Sequence, residues 1–135
     1  MKTFKVVLGV ATVALIVMLS TIRPRREQST AYNPAGEILA KGVVQDVQEY
    51  YCPVSGEQGT HLVLKTEDGG VLVVHAGPAR FLRSIQAAFN KGDQIEVIGS
   101  KLKYMGSDAV LAREVRRGDE MFLLRDREGK PVWLR

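Results

Sequence analysis

Cys52, His61 and His75 are, methionines aside, the residues of this 135-residue chain best suited to hold a transition metal. Structural zinc usually takes four such ligands in closely spaced pairs, whereas these three stand nine and fourteen residues apart, so the spacing predicts no metal site. Partly exposed strand histidines account for them more simply. Cys52, beside Pro53, is the single cysteine, which rules out an intramolecular disulfide and predicts an unreactive loop thiol. Ser55, Ser84, Ser100 and Ser107 lack the strand-to-helix elbow of a nucleophilic serine, and only two histidines could act as base. No catalytic set and no cofactor site is legible, and no enzyme activity is expected.

The elements that must position such residues begin after a distinct leader. Residues 6–22 carry no charge and no proline, between Lys2 and Lys5 on one side and Arg23-Pro24-Arg25-Arg26 on the other, the pattern of an export signal or membrane anchor. As a helix this run spans about 26 Å against a hydrocarbon core of about 30 Å, short for a crossing but sufficient. Bulky Met18 in Met18-Leu19-Ser20, where a cleavage site wants a small residue, favours an uncleaved anchor over residues 1–26. Counting basic residues on each side favours a cytoplasmic domain, while a five-residue head before a signal-like run favours export; the expectation adopted is an exported, periplasmic or extracytoplasmic domain. Residues 27–36 (EQSTAYNPAG) have the composition of a tether, leaving residues 37–135 as one domain with a single core.

The formal charge of +4 belongs to the leader. Its five basic residues removed, fourteen bases face fifteen acids, and the remainder of the chain carries a net −1. A basic groove for nucleic acid is not expected from that balance, although the charge is uneven: residues 37–68 hold two bases and six acids, residues 80–117 eight bases and four acids.

Residues 38–50 read as a first strand rich in β-branched residues, with Gly42 at a bend, followed by a loop over residues 51–59. HLVLKT (61–66) and VLVVH (71–75) flank Glu67-Asp68-Gly69-Gly70, and Asp-Gly between two apolar runs predicts a hairpin of strands two and three. Gly77-Pro78 opens a helix in which Phe81, Leu82, Ile85 and Phe89 share one face, expected to plug one end of the sheet. Residues 94–104 form a fourth strand whose apolar parity switches beside Gly99, predicting a bulge there. Residues 109–115 form the fifth, and residues 121–124 and 132–134 a closing hairpin. Three strands, a helix, two strands and an added hairpin make the fold class mainly β, in the element order of an OB-type five-stranded Greek-key barrel.

The pieces HLVLKTEDGGVLVVHAGPARFL, KGDQIEVIGS, AVLAREV and LRDREGKPVW, about half of the chain, resemble small exported bacterial OB-fold domain proteins. The resemblance implies that fold and a binding module rather than an enzyme. A second relative in architecture, the haem chaperone of cytochrome c maturation, attaches haem through a histidine followed four residues later by tyrosine. Here Lys65 follows His61 and Ala79 follows His75 at that distance, which argues against a haem carrier.

OB folds bind ligands on the face of strands two and three and their flanking loops. In this chain that face predicts Tyr50, Tyr51, His61, Lys65, Lys101, Lys103 and Tyr104, tyrosines to stack and lysines to track an anion, unless the tyrosines merely cover the mouth of the barrel. A second candidate is an anion site at the helix start, with the Ala79 and Arg80 amides and the Arg80 and Arg83 side chains, unless the arginines are simply solvated. Together these readings give a membrane-tethered exported module that binds a protein or envelope component. Its alternatives are a single-strand nucleic-acid binder and a metal or haem carrier.

Overall fold

The computed structural model describes residues 31–134, so the expected membrane segment at residues 6–22 and most of the tether lie outside the described residues. Among the described residues no helix is long and apolar enough to cross a membrane. Asn33 caps a 3-10 turn at Pro34–Gly36, accepting a hydrogen bond from the Ala35 amide, and the first strand starts directly after it.

Six strands and one short helix follow: β1 (Glu37–Cys52), β2 (Glu57–Thr66), β3 (Val71–Pro78), α1 (Ala79–Ser84), β4 (Gln94–Tyr104), β5 (Ser107–Arg117) and β6 (Glu120–Leu123). They form one sheet in the order β3-β2-β1-β4-β5-β6, antiparallel throughout except for an added parallel pairing of β3 with β5 through Val73–Ala109, Val74–Val110 and His75–Leu111. The mainly β expectation holds, with the five expected strands and the first half of the expected closing hairpin present as strands.

β1 is long because it serves two partners. Up to Val43 it pairs with β4, and from Gly42 onward with β2. At the handover a Cβ on Gly42 would sit 2.1 Å from the Lys65 carbonyl oxygen, so only glycine lets the two backbones approach this closely. The parity switch read beside Gly99 is a register shift between Ile98 and Gly99 in the β4–β5 pairing. The interior is aliphatic, with Leu62, Leu64, Val74, Val97, Val115 and Leu124 almost wholly out of water.

Two expectations are corrected. The helix ends at Ser84 instead of running on through Phe89, because Gln86 adopts a left-handed backbone (φ 56°). The Ala87 amide then donates to the Leu82 carbonyl and the Gln86 amide to the Arg83 carbonyl, a Schellman stop built without the usual glycine. Ile85 is consequently at the surface, while Phe89 reaches the core by another path, edge-on to Phe122 at 5.4 Å. The closing hairpin does not form as read: β6 pairs with β5, and after a single bridge between Arg125 and Pro131 the chain curls into a 3-10 turn at Val132–Leu134.

Candidate functional site

The expected loop at residues 51–59 is mostly strand. β1 continues to Cys52 and β2 begins at Glu57, with Tyr50 opposite Gly59 and Cys52 opposite Glu57. Because side chains alternate along a strand, Tyr50 and Cys52 of β1 face the same side as Gly59 and His61 of β2. Between β2 and β3 the register passes from Thr60–Gly77 to His61–His75, which makes Ala76 the extra residue of a bulge and sets the two histidines directly across from each other. A Cβ on Gly59 would lie 3.0 Å from the Cys52 Cβ and 3.2 Å from the His61 Cε1, so this glycine leaves room for thiol and ring to converge.

The result is a buried cluster. The Cys52 Sγ lies 3.5 Å from the His75 Nδ1, and one donor atom from each of Cys52, His61 and His75 falls within 4.8 Å of the others. Exposure is 4% for Cys52, 1% for His61 and 5% for His75. Tyr50 stacks on His61, His61 meets His75 edge-on at 4.5 Å, and Tyr104 meets His75 edge-on at 4.9 Å. Among the described residues the His61 Nδ1 and His75 Nε2 have no hydrogen-bond partner.

Both imidazoles are held neutral. Burial, with the His61 and Arg125 charges adding to it, pushes His75 down to about 4. Burial also lowers His61, opposed by the Gly59 backbone. A Cys–His contact suggests a nucleophile and its base, but a ring this resistant to protonation does not favour a thiolate–imidazolium pair. The adjoining cavity, about 10 Å³, has room for little more than a water. Neutral imidazole beside sulfur is instead the form in which these side chains bind metal.

One further charged side chain lines that cavity. Arg125 is only 8% exposed, donates from Nη1 to the Gly129 carbonyl at 2.9 Å, and lies 5.2 Å from the Trp133 ring and 5.8 Å from the Tyr32 ring. Burial lowers its pKa, with the Tyr32 and Cys52 charges opposing. Trp133, Val54 and Ser55 line the same cavity.

Of the face expected from the sequence, the structure brings Tyr50, His61 and Tyr104 together. Tyr51 points away, 61% exposed. Lys65 and Lys101 are exposed, and Lys103 is paired with Asp108 at 2.5 Å. At the expected anion site Ala79 is buried, Arg80 binds Glu57 through two contacts of 2.6 and 3.1 Å, and Arg83 meets Glu49 at 3.3 Å. Both guanidiniums thus already have carboxylates. The sequence missed the convergence of Cys52 with both histidines and the inward turn of Arg125. The alternation Tyr50, Cys52 and Gly59, His61 was the available signal, but the bulge at Ala76 left no mark in composition.

Elsewhere on the sheet, an open groove of about 390 Å³ is lined by Ile38–Lys41 of β1, the β2–β3 turn, and Lys101 and Asp108. Leu39 and Val71, each 57% exposed, lie along it.

Residues 39–122, more than half of the chain, match the model of the MamS/MamX magnetosome protein family. The chain belongs to that family. The match runs from β1 into β6, so the cluster and all of the groove but Ile38 fall within the MamS/MamX region, while Arg125 and Trp133 lie just beyond it. No curated protein matches this MamS/MamX chain. Among solved structures it is similar to the mitochondrial single-stranded DNA binding protein of S. cerevisiae, at 8% identity over 64% of this chain and 94% of that one, with a TM-score of 0.42.

Proposed function

We propose that this MamS/MamX family member is a membrane-tethered, non-catalytic binding module of the OB type, exported to the far side of the membrane, that docks a protein partner of the magnetosome. The barrel reading rests on the chain of pairings β1–β2–β3–β5–β4–β1, which gives each of these five strands two neighbours. The tether rests on the apolar run at residues 6–22.

The observation that carries the reading is the groove holding Leu39 and Val71. Exposed aliphatic side chains there are flanked by Lys41 and Lys101 but also by Glu67, Asp68 and Asp108. Mixed charge around an apolar strip suits a polypeptide, whereas a polyphosphate chain would meet three carboxylates. The absence of catalysis is supported by the small cavity at the Cys52–His75 contact.

The test is in-cell crosslinking with the full chain, from a photoreactive side chain at Leu39 and, as control, at Tyr51. A protein adduct from position 39, lost when Val71→Arg is added, is expected. Salt-sensitive binding of single-stranded oligonucleotide, or the same adducts in the presence of Val71→Arg, would overturn the docking surface. A reporter at the C-terminus active only in the cytoplasm would overturn the export.

A further inference from the structure

We propose that Cys52, His61 and His75 form a three-coordinate binding site for copper(I). The inference stands apart from the groove, since it uses the other end of β1 and holds whether or not a partner docks there.

The donors fit a metal before they fit any other task. Two donors bound to one ion at about 2.3 Å for sulfur and about 2.0 Å for nitrogen stand about 3.6–3.8 Å apart. The Cys52 Sγ and the His75 Nδ1 are 3.5 Å apart already, and the widest separation in the trio, at most 4.8 Å, needs to close by only about 1 Å. Two ring nitrogens without partners, on side chains 1% and 5% exposed, would be costly to leave unpaired inside a protein. A cation held by the trio takes one nitrogen of each ring; on His75 that is the Nδ1 beside the Cys52 Sγ, so the unpartnered His75 Nε2 is not relieved by it.

Coordination number and charge select the metal. A thiolate with two imidazoles is a soft set, favouring copper(I) over the harder divalent ions. Structural zinc wants a fourth protein ligand, and the other side chains lining the cavity bring no carboxylate, thiol or imidazole. Charge points the same way: copper(I) with one thiolate is neutral, whereas a divalent ion with one thiolate leaves a net positive charge buried beside the Arg125 guanidinium. Val54 and Ser55 of the connection between β1 and β2 are half-buried along the same cavity and form its cover near Cys52.

The experiment uses the full chain in detergent under anaerobic conditions, with copper(I) delivered from and competed by bicinchoninate. One copper(I) per chain is expected, with one sulfur and two nitrogen neighbours by X-ray absorption and with Cys52 blocked to alkylation. Even loss of an outer partner to a metal ligand costs about 10–100-fold in affinity, so Cys52→Ser and His61→Gln should each weaken binding by more than about 100-fold. Should either variant lose its fold by circular dichroism, the wild-type absorption spectrum decides alone. Sub-stoichiometric copper, a shell without sulfur, or zinc(II) held equally well in the same shell overturns the assignment.

Discussion

Tyr50 lies flat on His61, their ring centroids 3.8 Å apart and their planes within 7° of each other. The tyrosine, itself half-buried, is a lid on an imidazole that is 1% exposed. Tyr50→Ala should therefore raise the pKa of His61 toward the ordinary histidine value, because burial is what lowers it. Loss of the stacked face should also cost about 1–3 kcal/mol of stability, with Tyr50→Phe costing much less. Proton NMR titration of the two histidines, with urea unfolding of each variant, checks both.

His75 makes the metal-free protein sensitive to mild acid. Its folded pKa is about 4 against 6.5 for a free imidazole, so between these values the unfolded chain binds more protons than the folded one. Stability contributed by this group is whole above about pH 6.5, falls as the pH is lowered toward 4, and is flat below. The loss amounts to roughly 3 kcal/mol at one pKa unit per 1.4 kcal/mol. Urea midpoints from pH 7.5 to 4 should show this decline, and His75→Gln should flatten it.

Two glycines admit no side chain. A Cβ would fall 2.1 Å from the Lys65 carbonyl oxygen at Gly42 and 2.1 Å from the Leu111 carbonyl oxygen at Gly99. Gly42→Ala and Gly99→Ala must each push paired strands apart and should cost more than about 3 kcal/mol or prevent folding. Gly36→Ala, whose new atom meets nothing nearer than Asn33 at 3.4 Å, should stay within about 0.5 kcal/mol of wild type by thermal melting.

Arg113 ties β5 to the first residue of β1, with contacts of 2.6 and 3.4 Å to the two Glu37 carboxylate oxygens, while the Tyr32 hydroxyl donates to the same carboxylate. These hydrogen bonds, from Tyr32 first and then Arg113, hold the Glu37 carboxyl below its usual range, so the stability it contributes is present above pH 4.5 and is lost as the pH falls through the folded value. Arg113→Met should cost about 1–3 kcal/mol, and Arg113→Lys should recover little, since lysine lacks the planar fork. Chemical unfolding at pH 7 with the three proteins side by side settles it.

Local signals were legible wherever the chain turns back on a neighbour. Asp68-Gly69 announced the β2–β3 hairpin, and the parity change at Gly99 announced its bulge, because each is written in adjacent residues. What could not be read depends on partners far along the chain. The helix stop at Gln86 uses a left-handed residue that is not glycine, so no breaker marked it. The last segment looked like a strand from its branched and aromatic residues, yet the Val132 amide bonds the Leu124 carbonyl and the chain then curls. The Cys–His–His cluster needed the β1–β2 register and the extra residue at Ala76 together, and sequence spacings of nine and fourteen conceal both.

The single cysteine of the chain is 4% exposed where β1 ends. Two folded copies therefore cannot be joined sulfur to sulfur until that corner of the sheet has loosened in both. Disulfide-linked dimers forming in air would count such openings, so the speed at which they accumulate serves as a clock for local breathing.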